Sequence, residues 1–130
     1  MICSSCVSKV GLPLHSAYSA TKAMQDHFGR AMRIELAPKG IHVSTVHPIG
    51  TSSEFSQKTA ENSGGTRKAI RTPERMKQSP EVVAAAIVRC LRRPRGEVWT
   101  STTMRLALAA MTALPGLGDW YLARRLQRRQ

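Results

Sequence analysis

Acidic residues are scarce in this chain. Against 20 Lys and Arg stand only 8 Asp and Glu in 130 residues, a formal net charge of +12, so the surface attracts phosphate, nucleic acid and anionic lipid without specificity. Long apolar runs are missing too. No stretch of eighteen or more apolar residues occurs, which argues against a membrane-spanning helix. The start, MICSSCVSKV, has neither the basic head nor the apolar body of a secretory signal. Three cysteines, an odd number, do not make a disulfide framework. We therefore expect free thiols and a cytoplasmic location. Aromatic residues are few, and only Trp120 and Tyr121 lie near a basic cluster, which argues against specific nucleic-acid binding.

What remains is a length and a pattern. The 130 residues fit one domain with a hydrophobic core. Ile2 giving way to Cys3-Ser4-Ser5 reads as the end of a strand running into a polar turn. From Ser16 to about Ala37, apolar Ala20, Met24, Phe28 and Ala31/Met32 recur at helical steps before the stop Pro38-Lys39-Gly40. The β-branched run Ile41 to Val46, between Gly40 and Pro48, reads as a strand. Residues 50–78 lack periodicity and predict a loop with one short helix. Ser79-Pro80-Glu81 opens a helix, with a capping hydroxyl and a proline at the first position, and Val83, Ile87, Cys90 and Leu91 form its stripe. Glu97 to Thr100 is a short strand, and helices at about 103–114 and 118–129 are separated by Pro115-Gly116. This order predicts an α/β fold with a mostly parallel sheet flanked by helices. Two or three strands are few for such a sheet, so we expect it to be part of a larger one.

The stretch His15 to Lys22 reads HSAYSATK, and its helical spacing puts Tyr18 and Lys22 on one face, one turn apart. A phenol with a pKa near about 10 exchanges protons poorly at neutral pH. A lysine ammonium one turn away favours the phenolate and lowers that pKa. Ser5 lies thirteen residues before Tyr18, at the strand end, close enough for the turn to bring its hydroxyl back beside the phenol. A substrate carbonyl could then accept hydrogen bonds from both.

In these residues the chain resembles the short-chain dehydrogenases/reductases, specifically the second half of their nucleotide-binding fold. The family's Ser-Ser-x-x-Gly turn is similar to Ser4-Ser5-Cys6-Val7-Ser8, its Tyr-x-Ala-x-Lys helix start to Tyr18-Ser19-Ala20-Thr21-Lys22, and its Pro-Gly-x-x-x-Thr segment to Pro48-Ile49-Gly50-Thr51-Ser52-Ser53. The likeness is specific from Ser4 to about Phe55 and architectural beyond. It implies the C-terminal portion of a doubly wound, Rossmann-like parallel sheet, with a catalytic segment over 1–55, a substrate loop over 56–78, and the last strand and C-terminal helices over 79–130. It implies an oxidoreductase that interconverts a carbonyl and an alcohol with NAD or NADP. Tyr18 would be the general acid/base, Ser5 would orient the substrate, and Lys22 would lower the phenol pKa and hold the nicotinamide ribose. The backbone of Pro48, Ile49 and Thr51 would meet the carboxamide. Family members usually pair through the Tyr-bearing helix, here 16–37, which implies a homo-oligomer.

Two positions depart from the pattern, with Ser8 and Ile49 standing where the family prefers glycine. The glycine-rich phosphate loop is also missing, since Ser63-Gly64-Gly65 has neither its spacing nor a preceding strand. A hydride-transfer enzyme depends on its cofactor. We therefore expect a truncated form, inactive alone; the alternative is a non-catalytic basic association fragment.

Other features have bland readings beside sharper ones. Cys3-Ser4-Ser5-Cys6 could be a redox pair or half a metal site, but no second pair follows at metal spacing, and we assign no metal. His15 could line the substrate mouth or be merely solvated, while His42 and His47 read as structural. The clusters Arg89/Arg92/Arg93/Arg95 and Arg124/Arg125/Arg128/Arg129 read as helix caps and solvated charge. The tail from Met104 to Arg129 mixes leucines, Trp120 and Tyr121 with arginines. Either it covers the sheet or the substrate pocket, or it lies weakly on an anionic membrane surface.

Overall fold

The computed structural model describes residues 1–52 and 72–128. Three short strands, β1 (Ile2–Cys3), β2 (Thr45–His47) and β3 (Glu97–Trp99), form a parallel sheet in the order β1-β2-β3. Val46 faces Cys3 on one side and Val98 on the other. The helices are α1 (Ser16–Leu36), α2 (Pro80–Arg92), α3 (Thr102–Ala113) and α4 (Pro115–Gln127). This is the partial Rossmann-like α/β arrangement that the order of elements predicts.

Side chains alternate across a strand, and β2 shows what each face packs against. Val46 is fully buried and joins Val98 and Cys90 in an apolar cluster closed by Ala86 and Ile87 of α2. Thr45 and His47 point the other way, toward α1, and are also fully buried. There α1 comes very close: a Cβ on Gly29 would lie 2.3 Å from the Thr45 methyl, so only glycine fits at this distance.

That contact overturns the simplest reading of α1. The residues it buries are Ser19, Asp26 and Gly29, whereas Met24 and Phe28 of the apolar stripe are 65% and 59% exposed. Small and polar residues face the sheet because the approach is close and because Asp26 has an ionic partner beneath it. At its far end Arg33 donates from Nε to the Val43 carbonyl at 3.0 Å and from Nη2 to the Gly96 carbonyl. A 3-10 turn, Ala37–Lys39, then ends on Gly40 in the left-handed region, φ 71°.

Other expectations shift by smaller amounts. The strand expected over 41–46 narrows to Thr45–His47, with Ile41 and His42 exposed. Pro115 opens α4 as its first residue, so the break between the last helices is a single turn. Ser79 is the N-cap of α2, but its hydroxyl makes no capping bond; it donates instead to Glu81, which holds that carboxyl below its ordinary pKa. Ser101 does cap α3, accepting from the Met104 N–H at 3.2 Å. Residues 53–71, with most of the expected substrate loop and the Ser63-Gly64-Gly65 run, lie outside the described residues; the turn Glu74–Met76 is the short helical piece seen beyond them. Among the described residues, no helix is long and apolar enough to cross a membrane.

Candidate active site

In a parallel sheet all strands end at one edge, and open α/β sheets place their ligands there. Here the chain leaves β1 through Ser4-Ser5, β2 through Pro48 to Thr51, and β3 through Thr100. Reciprocal bonds bring the first turns of α1 to the same edge. Lys22 donates from Nζ to the carbonyl of Cys3, the last residue of β1, at 3.1 Å, while the Ser4 hydroxyl donates to the Lys22 carbonyl at 2.8 Å.

Tyr18 lies one turn before Lys22, partly exposed, with the ammonium 5.8 Å from its ring centroid. Lys22 also donates to Gln25 Oε1 at 3.1 Å. Leu14, with φ 63°, bends the chain just before His15 begins the helix, a strained position for a non-glycine residue. His15 is the N-cap without a side-chain capping bond, its Nδ1 3.5 Å from the Pro13 carbonyl.

Ser5 caps the 3-10 turn Cys6–Lys9, its Oγ accepting from the Val7 N–H at 3.4 Å. A hydroxyl so engaged still has its proton to donate. The loop after β2 is held on both sides. The Cys6 N–H donates to the Pro48 carbonyl at 3.0 Å, the Ile49 N–H to Thr100 Oγ1 at 3.4 Å, and the Thr51 hydroxyl to the Ile49 carbonyl at 2.9 Å. Thr51 pairs with Gln78, which ties the loop to the start of α2. A cation, a phenol and hydroxyls at one sheet edge fit the nicotinamide and ribose end of a dinucleotide. The Ile49 N–H is taken by Thr100 and the Thr51 hydroxyl proton by the Ile49 carbonyl, so the Lys22 ammonium, which carries three protons, is the better-placed donor.

Both departures from the family pattern have local explanations. Ser8 is buried and its hydroxyl meets His47 Nδ1 at 3.3 Å, a partner glycine would not offer. Ile49 is buried at a backbone conformation without positive φ, so glycine is not needed there. Cys3, Cys6 and Cys90 are all free thiols. Burial pushes the Cys6 thiol above its ordinary pKa, which disfavours the thiolate a redox pair needs.

Beneath this edge lies a buried polar seam that sequence reasoning missed. Lys9 donates from Nζ to Asp26 Oδ2 at 2.6 Å and to Glu97 Oε1 at 3.3 Å. Asp26 Oδ1 lies 3.4 Å from His47 Nε2. With its proton on Nδ1, His47 donates to the Ser5 carbonyl at 3.2 Å, and its ring stacks on Trp99 at 4.6 Å. Burial holds the His47 imidazole below its ordinary pKa, against the opposing pull of the Ser5 carbonyl and Asp26. Burial raises the Glu97 pKa, but the Trp99 indole N–H and Lys9 outweigh it and leave the carboxyl lower than usual. Asp26, His47 and Glu97 could ligate a metal, with donor atoms within 4.8 Å of one another. The Lys9 ammonium already supplies a cation between the two carboxylates. The signal in the sequence was weak: Lys9 and Asp26 stand 17 residues apart, Lys9 and Glu97 88 apart.

A parallel sheet between helices, with Ser5, Tyr18 and Lys22 at its C-terminal edge, is part of a Rossmann-like α/β fold. The model of the short chain dehydrogenase family matches residues 1–64, the stretch that carries these residues. Similar proteins include "Dehydrogenase/reductase SDR family protein 7-like" of Drosophila melanogaster, 28% identical over 94% of this chain and 38% of its own length. "Dehydrogenase/reductase SDR family member 7B" of Xenopus laevis is 29% identical over 99% of this chain and 40% of its own length. Its counterpart in Xenopus tropicalis is 26% identical over 98% and 42%. Residues 1–64 are thus similar to the short-chain dehydrogenase/reductase family, and the chain spans about two fifths of the length of these curated relatives.

Proposed function

We propose that this chain carries the reacting edge of an NAD(P)-dependent oxidoreductase that interconverts a small-molecule carbonyl and an alcohol. The observation that carries the reading is the pair of bonds locking Lys22 to the end of β1, which sets the Tyr18 and Lys22 pair beside the strand end bearing Ser5. In the reductive direction, the Ser5 and Tyr18 hydroxyls donate to the substrate oxygen. The nicotinamide, when bound, supplies the hydride to the carbonyl carbon. The oxygen then takes the Tyr18 proton, and the resulting phenolate is stabilised by the Lys22 ammonium until solvent returns a proton. Lys22 and Tyr18 would hold the ribose, with Pro48, Ile49 and Thr51 lining the carboxamide side.

The test uses residues 1–130 joined to the N-terminal segment of the Drosophila relative. NADH- or NADPH-dependent turnover is expected from the joined protein and not from the 130-residue chain alone. Tyr18→Phe should lower turnover by about a hundredfold or more while lowering cofactor affinity far less, since Lys22 still holds the ribose. A Phe variant with near-normal turnover would remove Tyr18 from the chemistry, and robust turnover by the chain alone would remove the need for a second segment.

A second reading, association through the 16–37 helix, draws on the exposure of Met24, Phe28 and Ile34 at 65%, 59% and 77%. Sedimentation of a Phe28→Glu variant checks it: a shift from dimer to monomer is expected, and an unchanged state would sink it.

A further inference from the structure

α4 has a face with no partner among the described residues. Its inner side is Gly118 and Leu122, both buried against α3. At 100° per residue, Leu117, Trp120, Tyr121, Arg124 and Arg128 line up on one exposed stripe, with Leu117, Trp120 and Tyr121 exposed at 59%, 52% and 45%. The Arg124 guanidinium lies over the Trp120 ring at 4.6 Å, and Arg125 over the Tyr121 ring at 5.6 Å. Asp119, the one acidic residue of α4, falls on the side of the helix away from this stripe. Leu114, exposed at 57%, extends the apolar surface to the α3–α4 turn.

We propose that this stripe docks α4 flat on an anionic membrane surface. Charge decides the occupant. A second copy of the same face would bring its own arginines against these, in a chain that already carries +12; like charges repel at such a contact. A surface of lipid phosphates offers the opposite sign. Trp and Tyr rings sit at the headgroup level, with their polar edges toward water. Leu117 and Leu114 reach further in, while the arginines keep their heads among the phosphates. A helix lying in the interface needs no spanning length, which α4 does not have. The surface is independent of the oxidoreductase reading, because none of its residues belongs to the Tyr18 edge.

Co-sedimentation of the 130-residue chain with vesicles tests this, comparing pure phosphatidylcholine with an equal mixture of phosphatidylcholine and phosphatidylserine. Binding is expected to the mixed vesicles and to weaken with salt. Arg124→Gln/Arg128→Gln should lower the partition coefficient roughly thirtyfold, from about 1 kcal/mol per basic residue near the surface. Arg89→Gln/Arg92→Gln, the same charge change on exposed positions of α2, should stay within about threefold of the parent. A blue shift of tryptophan emission on binding should vanish in Trp120→Phe, which retains Trp99. Equal loss in both arginine pairs would mean diffuse charge and overturn the proposal. So would equal binding to neutral vesicles, or sedimentation without vesicles, which would mark self-association.

Discussion

The two faces of β2 solve the same burial problem with opposite chemistry. Toward α2 the strand offers Val46, which meets Val98, Cys90, Ala86 and Ile87 in a dry apolar cluster. Toward α1 it offers Thr45 and His47, which meet Gly29 and a chain of charges through Asp26, Lys9 and Glu97. Apolar packing holds the first face without demanding much of its partners, since hydrophobic groups of similar volume substitute with modest loss. The second face depends on every partner being present, because a buried charge left unpaired costs far more than the pair contributes. The polar face is the one that supports Tyr18 and Lys22. Position is specified there, and stability is supplied mainly on the other side.

The largest effect expected is on the polar face. Asp26→Asn removes the carboxylate from the 2.6 Å pair with Lys9 and leaves Lys9 with Glu97 alone; a loss of about 3 kcal/mol is expected in urea unfolding. Val46→Ala on the apolar face deletes buried carbon and leaves a cavity, for about 2 kcal/mol. If Val46→Ala costs more than Asp26→Asn, the contrast between the faces fails. Gly29→Ala must push α1 away from Thr45, and overpacking outweighs the gain in helix propensity by about 1 kcal/mol. In a protein that turns over, it should lower kcat as well, because the same helix carries Tyr18.

Acid sharpens the contrast further. Unfolded, His47 takes up a proton near about pH 6.5; folded, burial holds it lower. Between those two values the unfolded chain binds more protons, so stability is complete above about pH 6.5 and declines as pH falls through the window, by up to about 1.4 kcal/mol per pH unit. Glu97, depressed in the folded chain, adds a similar loss below its ordinary range. Urea midpoints measured downward from neutral pH should follow this slope, and His47→Gln should flatten its upper part. The smallest effect is expected from Ser79→Ala, within about 0.5 kcal/mol, because that hydroxyl caps no helix N–H. A loss near that of a true N-cap, about 1 kcal/mol, would mean that the hydroxyl caps α2 in solution.

The apolar face was readable from the sequence, and the polar face was not. Ile87 and Cys90 recur at helical spacing, and Val98 sits in a strand-like run, so their packing together follows from periodicity; Leu91, read into the same stripe, is 66% exposed. On α1 the same logic pointed to Met24 and Phe28, which lie outside, because a helix that approaches a sheet closely buries small residues that carry no hydrophobic signal. Tyr18, Lys22 and Ser5 were legible because they sit in one short stretch, with their spacing carried by a single helix and turn. The seam of Lys9, Asp26, His47 and Glu97 joins four elements through tertiary contacts, and no local pattern encodes it. His47 read as structural and is buried at the centre of that seam.

The crossed bonds between Lys22 and the end of β1 limit how α1 can settle on the sheet. A slip of one residue along a helix advances each side chain by about 1.5 Å and turns it by about 100°. Either displacement alone separates the Lys22 ammonium from the Cys3 carbonyl, and together they also draw the Ser4 hydroxyl off the Lys22 carbonyl. The strand end thus works as an index mark against which the helix can be read in only one setting, and the phenol of Tyr18 inherits its address from that mark.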